Sequence, residues 1–277
     1  MTTPNNKRIA ITGAASGLGK AIALCYAKAG WNVAVADILD DDGIQVTTAI
    51  KALGVDSIFC HCDVTSDADI KHLHDLVLDR WGGLDVIVNN AGVATHGPID
   101  SAPIEDWQWC IDINLMGVVR GCKQFTQLFK QQGYGHIVNV ASIAGLIYSP
   151  EMGSYNAAKA ANVALSETLR YELEPYNIYT SVVCPGFFQT NLAKNVRSPD
   201  AGAQQFIDRL LSQSKINADD IATMIFTAVE KKQFWILPHR SYKNIWLFKR
   251  YIPFIYQRIF GTMGQKTKHK RDKATKT

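Results

Sequence analysis

Two groups able to cooperate in proton transfer stand four residues apart in the stretch Tyr155-Asn-Ala-Ala-Lys159, a phenol and an ammonium. On a helix, residues at that spacing are neighbours on one face. A cation held beside a phenol favours the phenolate and lowers its pKa. A tyrosine so placed can give or take a proton near neutral pH, where a free phenol is too weak an acid to matter. Ser142, just past a strand-like segment, offers a hydroxyl to hold a substrate oxygen and stabilise charge developing on it.

The elements that must position these groups alternate along the chain. Short segments rich in Val and Ile at 8–12, 32–36, 55–61, 84–88, 136–141 and 179–184 predict strands. Longer stretches at 17–29, 41–53, 68–81, 104–131 and 154–176 carry helical periodicity. This alternation predicts an α/β fold: a parallel, doubly wound sheet with helices on both faces and right-handed crossovers. Such sheets bind ligands beyond the carboxyl ends of their strands, where the strand order reverses, so functional residues should follow strands directly. A helix at 218–231 and a strand at 234–237 close one domain spanning 1–239. Residues 189–214 are polar and interrupted, which suits a lid over the site.

Four of the post-strand positions fit a dinucleotide. Gly13, Gly17 and Gly19 in Thr12-Gly-Ala-Ala-Ser-Gly-Leu-Gly19 lie where the chain leaves a strand and enters a helix. Without Cβ atoms they permit a tight turn, and backbone N–H groups at Ser16, Gly17, Leu18 and Gly19 can approach a pyrophosphate. The second strand leads to Asp37, where an acid accepts from the adenosine ribose hydroxyls and repels a 2′-phosphate. No base stands at Ala15 or Ile38, so NAD is favoured over NADP; a merely solvated acid ahead of Asp40–Asp42 is the competing reading of Asp37. Asp63 and Val64 follow the third strand, where a carboxylate can accept from the adenine amino group. Asn90, Ala91 and Gly92 follow the fourth, their small side chains leaving room for a ring or ribose. Either segment also reads as an ordinary turn.

Taken in order, TGAASGLG, NNAG, Ser142, YNAAK and Pro185-Gly186 resemble the motifs of the short-chain dehydrogenase/reductase family, in its single-domain branch, over roughly residues 7–238. The resemblance implies a seven-stranded Rossmann-type sheet, a nicotinamide cofactor and a catalytic tetrad of Asn114, Ser142, Tyr155 and Lys159. It implies that Tyr155 takes the alcohol proton in oxidation and returns one in reduction, helped by Lys159 and by the positive ring of NAD⁺. Lys159 would also hold the nicotinamide ribose. Asn114, a poor helix former inside the long predicted helix, would support a kink and a water leading to Lys159. Backbone groups at Pro185, Gly186 and Phe188 and the Thr190 hydroxyl would meet the nicotinamide carboxamide.

Val93, Leu146, Tyr148, Met152 and Phe187 are candidate substrate contacts together with Ser142. They are mostly apolar, which favours a lipophilic secondary alcohol or ketone. Phe187 and Phe188 read equally as core, and Trp107 and Trp109 as packing. An NADPH-dependent ketoacyl reductase is disfavoured by Asp37, and a non-catalytic nicotinamide sensor by the intact tetrad. Family analogy leads to the expectation of a homodimer or homotetramer.

Charge divides the chain. From Arg240 onward eleven Lys/Arg face one acid, Asp272, whereas the first 239 residues hold 18 bases and 24 acids. In the extension 240–277, Ile245, Phe248, Ile252, Ile255 and Ile259 fall on one side of a helical projection that Pro253 interrupts. Aromatics mixed with bases suit an anionic membrane interface; packing on the body or on a partner subunit is the equal alternative. Nucleic acid is not expected, since no binding motif accompanies the charge. The six cysteines are scattered, and Cys60-His61-Cys62 lacks a second ligand pair at zinc spacing, so no metal is expected. That cysteine usage, an N-terminal stretch without an apolar run, and the lack of any segment long enough to span a bilayer lead to an expected cytoplasmic location, with peripheral membrane association open.

Overall fold

The computed structural model describes residues 7–188, 196–199 and 214–274, so most of the expected lid, Thr190 included, lies outside the described residues. Strands β1 (Arg8–Thr12), β2 (Asn32–Asp37), β3 (Ser57–His61), β4 (Val86–Asn89), β5 (Gly135–Val140), β6 (Ile178–Val183) and β7 (Trp235–Ile236) form one sheet. All neighbours run parallel, in the order β3-β2-β1-β4-β5-β6-β7. The order reverses between β1 and β4, which makes the crevice beyond their carboxyl ends the place for a ligand.

Side-chain alternation along the strands explains why both faces are covered. Ile9, Ile11, Val33 and Val35 pack with α1 (Gly17–Lys28) and with Ile221 and Ile225 of a later helix. Ala10, Ala34 and Ile87 point the other way, against α3 (Asp67–Trp81) and the helix carrying Phe125 and Phe129. Among the described residues the other α-helices are α2 (Asp40–Lys51), α4 (Ile104–Ile111), α5 (Gly117–Gln132), α6 (Gly153–Leu173), α7 (Ala218–Glu230), α8 (Arg240–Tyr251) and α9 (Pro253–Ala274). Ser66 caps α3 by accepting from the Asp69 N–H, and Asn217 with Asp220 forms a full capping box on α7.

The single helix expected over 104–131 is broken. Between α4 and α5 the chain takes a π-helical turn, Asp112–Met116, with Asn114 wholly buried inside it. Asn114 explains the break: its Nδ2 donates to the Val93 carbonyl at 2.9 Å, and its Oδ1 accepts from the Val93 N–H at 3.2 Å. A side chain tied on both sides to a neighbouring loop draws the helix outward at that residue. The π turn falls at the residue where the family resemblance implies a kink.

A chain of buried amides ties the sheet to α6. Asn89 Nδ2 donates to Asn139 Oδ1 at 2.8 Å, Asn139 Nδ2 donates to Ser166 Oγ at 3.0 Å, and Ser166 Oγ donates to the Asn162 carbonyl at 2.8 Å. Their residue types in strand and helix interiors gave no warning of this link. Buried polar groups left without partners are costly, so each member holds the next.

The extension does not present the single apolar side expected of it. Tyr242, Ile245, Trp246, Tyr256 and Phe260 pack on a cluster containing Ile143, Leu146 and Val182, whereas Phe248, Ile255 and Ile259 are exposed. The break at Ile252 and Pro253 turns α9 relative to α8 and redistributes the faces. The body thus takes the aromatic residues and leaves a second apolar surface outward.

Replacing Asn139 by Ala leaves Asn89 and Ser166 without their shared partner. Urea unfolding should then show a loss of about 1–3 kcal/mol with an unchanged m value.

Candidate active site

The glycine turn is shaped by two close approaches. Gly13 has φ +65°, and a Cβ there would lie 2.8 Å from the Ala91 Cα; a Cβ on Gly19 would meet the Gly13 carbonyl at 2.1 Å. Asn90 fastens the two loops together, its Nδ2 donating to the carbonyls of Thr12 and Gly13 at 2.9 and 3.0 Å. Thr12 Oγ1 accepts in turn from the N–H groups of Asn90 and Ala91. The Asn90 amide therefore builds the turn. At the start of α1, Ser16 makes no side-chain cap and the first turn carries no acid, so its N–H groups face outward with the positive end of the helix dipole. A pyrophosphate fits that terminus.

Asp37 is buried, and its carboxylate accepts from the Ala15 N–H at 2.8 Å and the Leu39 N–H at 3.1 Å. These bonds tie the acid to the glycine turn, and each oxygen keeps further accepting capacity for a ribose hydroxyl. Asp63 turns inward locally: its Oδ1 accepts from the N–H and the hydroxyl of Thr65, both at 2.8 Å. Val64 is buried and closes on Gly117 of α5. The turn, the helix start and Asp37 thus present the donors and the acceptor that a dinucleotide needs.

Tyr155 and Lys159 share one face of α6, with the Lys159 Nζ 5.8 Å from the phenol ring centre. The Ser142 hydroxyl lies beside the phenol and favours its ionised form. Ser142 stands in extended backbone just past β5, and its Oγ accepts from the Ala144 N–H at 3.1 Å. Lys159 Nζ donates to the Val140 carbonyl at 3.0 Å. Gly92 lies over the same point, since a Cβ there would sit 2.8 Å from Asn114 Oδ1 and 3.4 Å from Lys159 Nζ. All four members of the expected tetrad consequently converge between β4, β5 and α6.

The electrostatics differ from the expectation. Burial pushes the Tyr155 phenol up to about 12, opposed by the neighbouring Ser142 hydroxyl. Burial also draws the Lys159 ammonium down to about 8, with the thiols of Cys110 and Cys184 working against it. An ammonium over the ring is therefore not enough to make this phenol acidic in the protein by itself. Desolvation outweighs it because both charged forms, phenolate and ammonium, lose water.

The candidate substrate residues separate into groups. Met152 packs beside Tyr155, together with Ala94 and Cys110. Leu146 joins the cluster under the extension, and its carbonyl accepts from Lys249 Nζ at 2.7 Å. That ammonium lies 3.3 Å from the centre of the half-exposed Tyr148 ring, whose backbone N–H donates to the Tyr256 hydroxyl at 3.1 Å. Phe187 meets Tyr242 edge-on at 6.5 Å, whereas Phe188 is buried in the main core with Val140 and Val183. Val93 is held through its backbone by Asn114. Pro185 accepts through its carbonyl from the Ile143 N–H, and the Gly186 N–H donates to His239 Nδ1 at 3.1 Å.

Sequence reasoning missed His239, Tyr242, Lys249 and Tyr256, which fix the two loops flanking Ser142. His239 is kept below its usual pKa by burial, in keeping with a neutral ring that accepts from Gly186. No regular spacing relates these residues to the tetrad, so no sequence signal marked them. Trp107 and Trp109 do pack as expected, the first against Gly153 and the second under the Arg197 guanidinium at 3.9 Å.

Comparison with known proteins agrees with this geometry. The family described as short chain dehydrogenase matches residues 7–201. A "CLA biosynthesis dehydrogenase/reductase" of Lactiplantibacillus plantarum is 35% identical over 260 residues, covering 87% of this chain and 90% of its own. A short-chain dehydrogenase/reductase of Burkholderia phymatum, solved in complex with NAD, superposes with a TM-score of 0.85 at 31% identity, covering 90% of this chain and 95% of that one. An alcohol dehydrogenase of Thermococcus sibiricus, complexed with 5-hydroxy-NADP, gives 0.73 at 25% identity, covering 83% and 95%. Neighbours of this fold thus bind either nicotinamide dinucleotide.

The depressed Lys159 has a measurable consequence. Between about 8 and 10.5 the unfolded chain binds a proton at Lys159 that the folded chain does not, so stability gained from this group rises with pH and its penalty is full below about 8. Relative to Lys159→Met, the ligand-free protein should gain on the order of 3 kcal/mol from pH 7 to the top of that window. Chemical denaturation of both proteins across this range checks it; a constant difference would contradict the depressed value.

Proposed function

This chain belongs to the short-chain dehydrogenase family, and within it we propose an oxidoreductase that interconverts a lipophilic secondary alcohol and its ketone, with NAD preferred to NADP. The observation that carries this reading is the buried phenol of Tyr155 beside Ser142, with Lys159 on the same helix face and 5.8 Å from the ring centre. When bound, the nicotinamide would accept or supply the hydride. Ser142 would hold the substrate oxygen, and Tyr155 would take its proton in one direction and return it in the other.

The raised phenol pKa defines what the remaining partners must do. A cationic ring beside Tyr155 would favour phenolate and offset burial, so the phenol would become a base only with oxidised cofactor in place. Lys159 would exchange part of its lost hydration for ribose hydroxyls, which keeps its charge in a dry site. Asp37 would accept from the adenosine ribose, and its fixed negative charge supports NAD over NADP. Met152 beside Tyr155 and the aromatic Phe187 support an apolar substrate.

A panel of secondary alcohols assayed with NAD⁺ and NADP⁺ tests both claims. Tyr155→Phe should lower kcat/KM by at least about a hundredfold while cofactor binding persists. Asp37→Ser should narrow the preference for NAD⁺ by at least about tenfold. Full activity in the Tyr155 variant would remove the acid–base assignment, and an unchanged cofactor ratio would remove the role of Asp37.

A further inference from the structure

The extension has an inner and an outer face. Inward, Tyr242, Trp246, Tyr256 and Phe260 seat α8 and α9 on the body, and Lys249 and Tyr256 grip the segment from Leu146 to Tyr148. Outward, both helices expose large apolar side chains: Phe248 (52% exposed), Tyr251 (73%), Phe254 (70%), Ile255, Ile259 (54%) and Met263. Ile255, Ile259 and Met263 recur every fourth residue, so they lie along one line of α9. Packing on the body leaves this line uncovered.

Charge identifies its occupant. The extension carries eleven Lys/Arg and one acid, and Arg250 and Arg258 fall among these residues in the chain while Lys266, Lys268, Lys270, Arg271 and Lys273 follow them. A second copy of this chain would bring an equally cationic surface to the same place and be repelled. An anionic lipid surface meets both requirements at once, because headgroups attract the bases while the aromatic and aliphatic side chains enter the headgroup–acyl boundary. Among the described residues no helix is long and apolar enough to cross a membrane, so the contact is lateral. We propose that α8 and α9 form a peripheral docking surface for anionic membranes.

The grip on Leu146–Tyr148 gives the docking a consequence. That segment follows Ser142 in the chain, and Phe187, which meets Tyr242, follows Pro185, whose carbonyl accepts from the Ile143 N–H, so the extension holds the two segments that adjoin Ser142. Delivery of an apolar alcohol from the bilayer to Tyr155 follows, a step that rests on the function proposed above, whereas docking itself does not.

Co-sedimentation of the full chain with phosphatidylglycerol/phosphatidylcholine vesicles and with pure phosphatidylcholine vesicles tests the surface. Binding should favour the anionic vesicles by at least about tenfold and weaken as salt is raised. Phe254→Ser combined with Ile259→Ser, both at exposed positions, should lower that binding by at least about tenfold while leaving the melting temperature and turnover of a small soluble alcohol unchanged. Charge reversal at Lys266, Lys268 and Lys270 should do the same. Equal binding to neutral vesicles, absence of binding, or full binding by the Ser variant would overturn the proposal. So would self-association that the Ser variant abolishes, or RNA binding without vesicle binding. Vesicle binding with no turnover of any alcohol would instead count against the enzymatic reading alone.

Discussion

The site is organised around the near-complete removal of water from an ammonium and a phenol. Lys159 and Tyr155 are both buried, the first hydrogen-bonded to the Val140 carbonyl and the second beside Ser142. Without water, each charged form is expensive, and the two pKa values move apart from their ordinary order: the ammonium falls toward neutrality while the phenol climbs. A site in this condition holds its proton until another charge or a set of hydroxyls arrives. In the proposed reaction, proton transfer would thereby be coupled to occupancy of the site.

The fold enforces that desolvation from three sides. The order reversal between β1 and β4 opens a crevice in which the glycine turn and the NNAG segment are latched by Asn90 and Thr12. The π turn swings Asn114 onto Val93 and brings its amide to Gly92, whose missing Cβ leaves just enough space above Lys159. The buried run Asn89–Asn139–Ser166 then anchors α6 to the sheet, so the helix bearing Tyr155 and Lys159 cannot drift. The extension holds the segment beyond Ser142 through Lys249 and Tyr256, and His239, just before it, holds Gly186.

Much of this was legible in the sequence because it follows local periodicity. Strand segments such as Arg8–Thr12 appear where Val and Ile cluster between turn residues, and the post-strand rule located Asp37, Asn90 and Ser142 without any knowledge of pairing. The helical spacing of Tyr155 and Lys159 likewise put them on one face. What could not be read depends on contacts distant in sequence. Asn139 meeting Ser166 and Lys249 meeting Leu146 are tertiary facts with no periodic signature. The direction of the Tyr155 shift was misjudged for the same reason: spacing reveals a neighbouring charge but not how deeply both groups are buried. In the extension, Pro253 was visible, yet which apolar residues the body would take depended on the shape of the surface receiving them.

The most direct test is a ¹³C NMR titration of the Tyr155 phenolic carbon, assigned with Tyr155→Phe, in the free protein and with NAD⁺ bound. The account predicts a phenol that stays protonated throughout the alkaline range in which the free protein remains folded. Its midpoint should then fall by at least about two units once NAD⁺ occupies the site. A phenol already ionising near neutrality in the free protein, or one whose midpoint ignores NAD⁺, would contradict it.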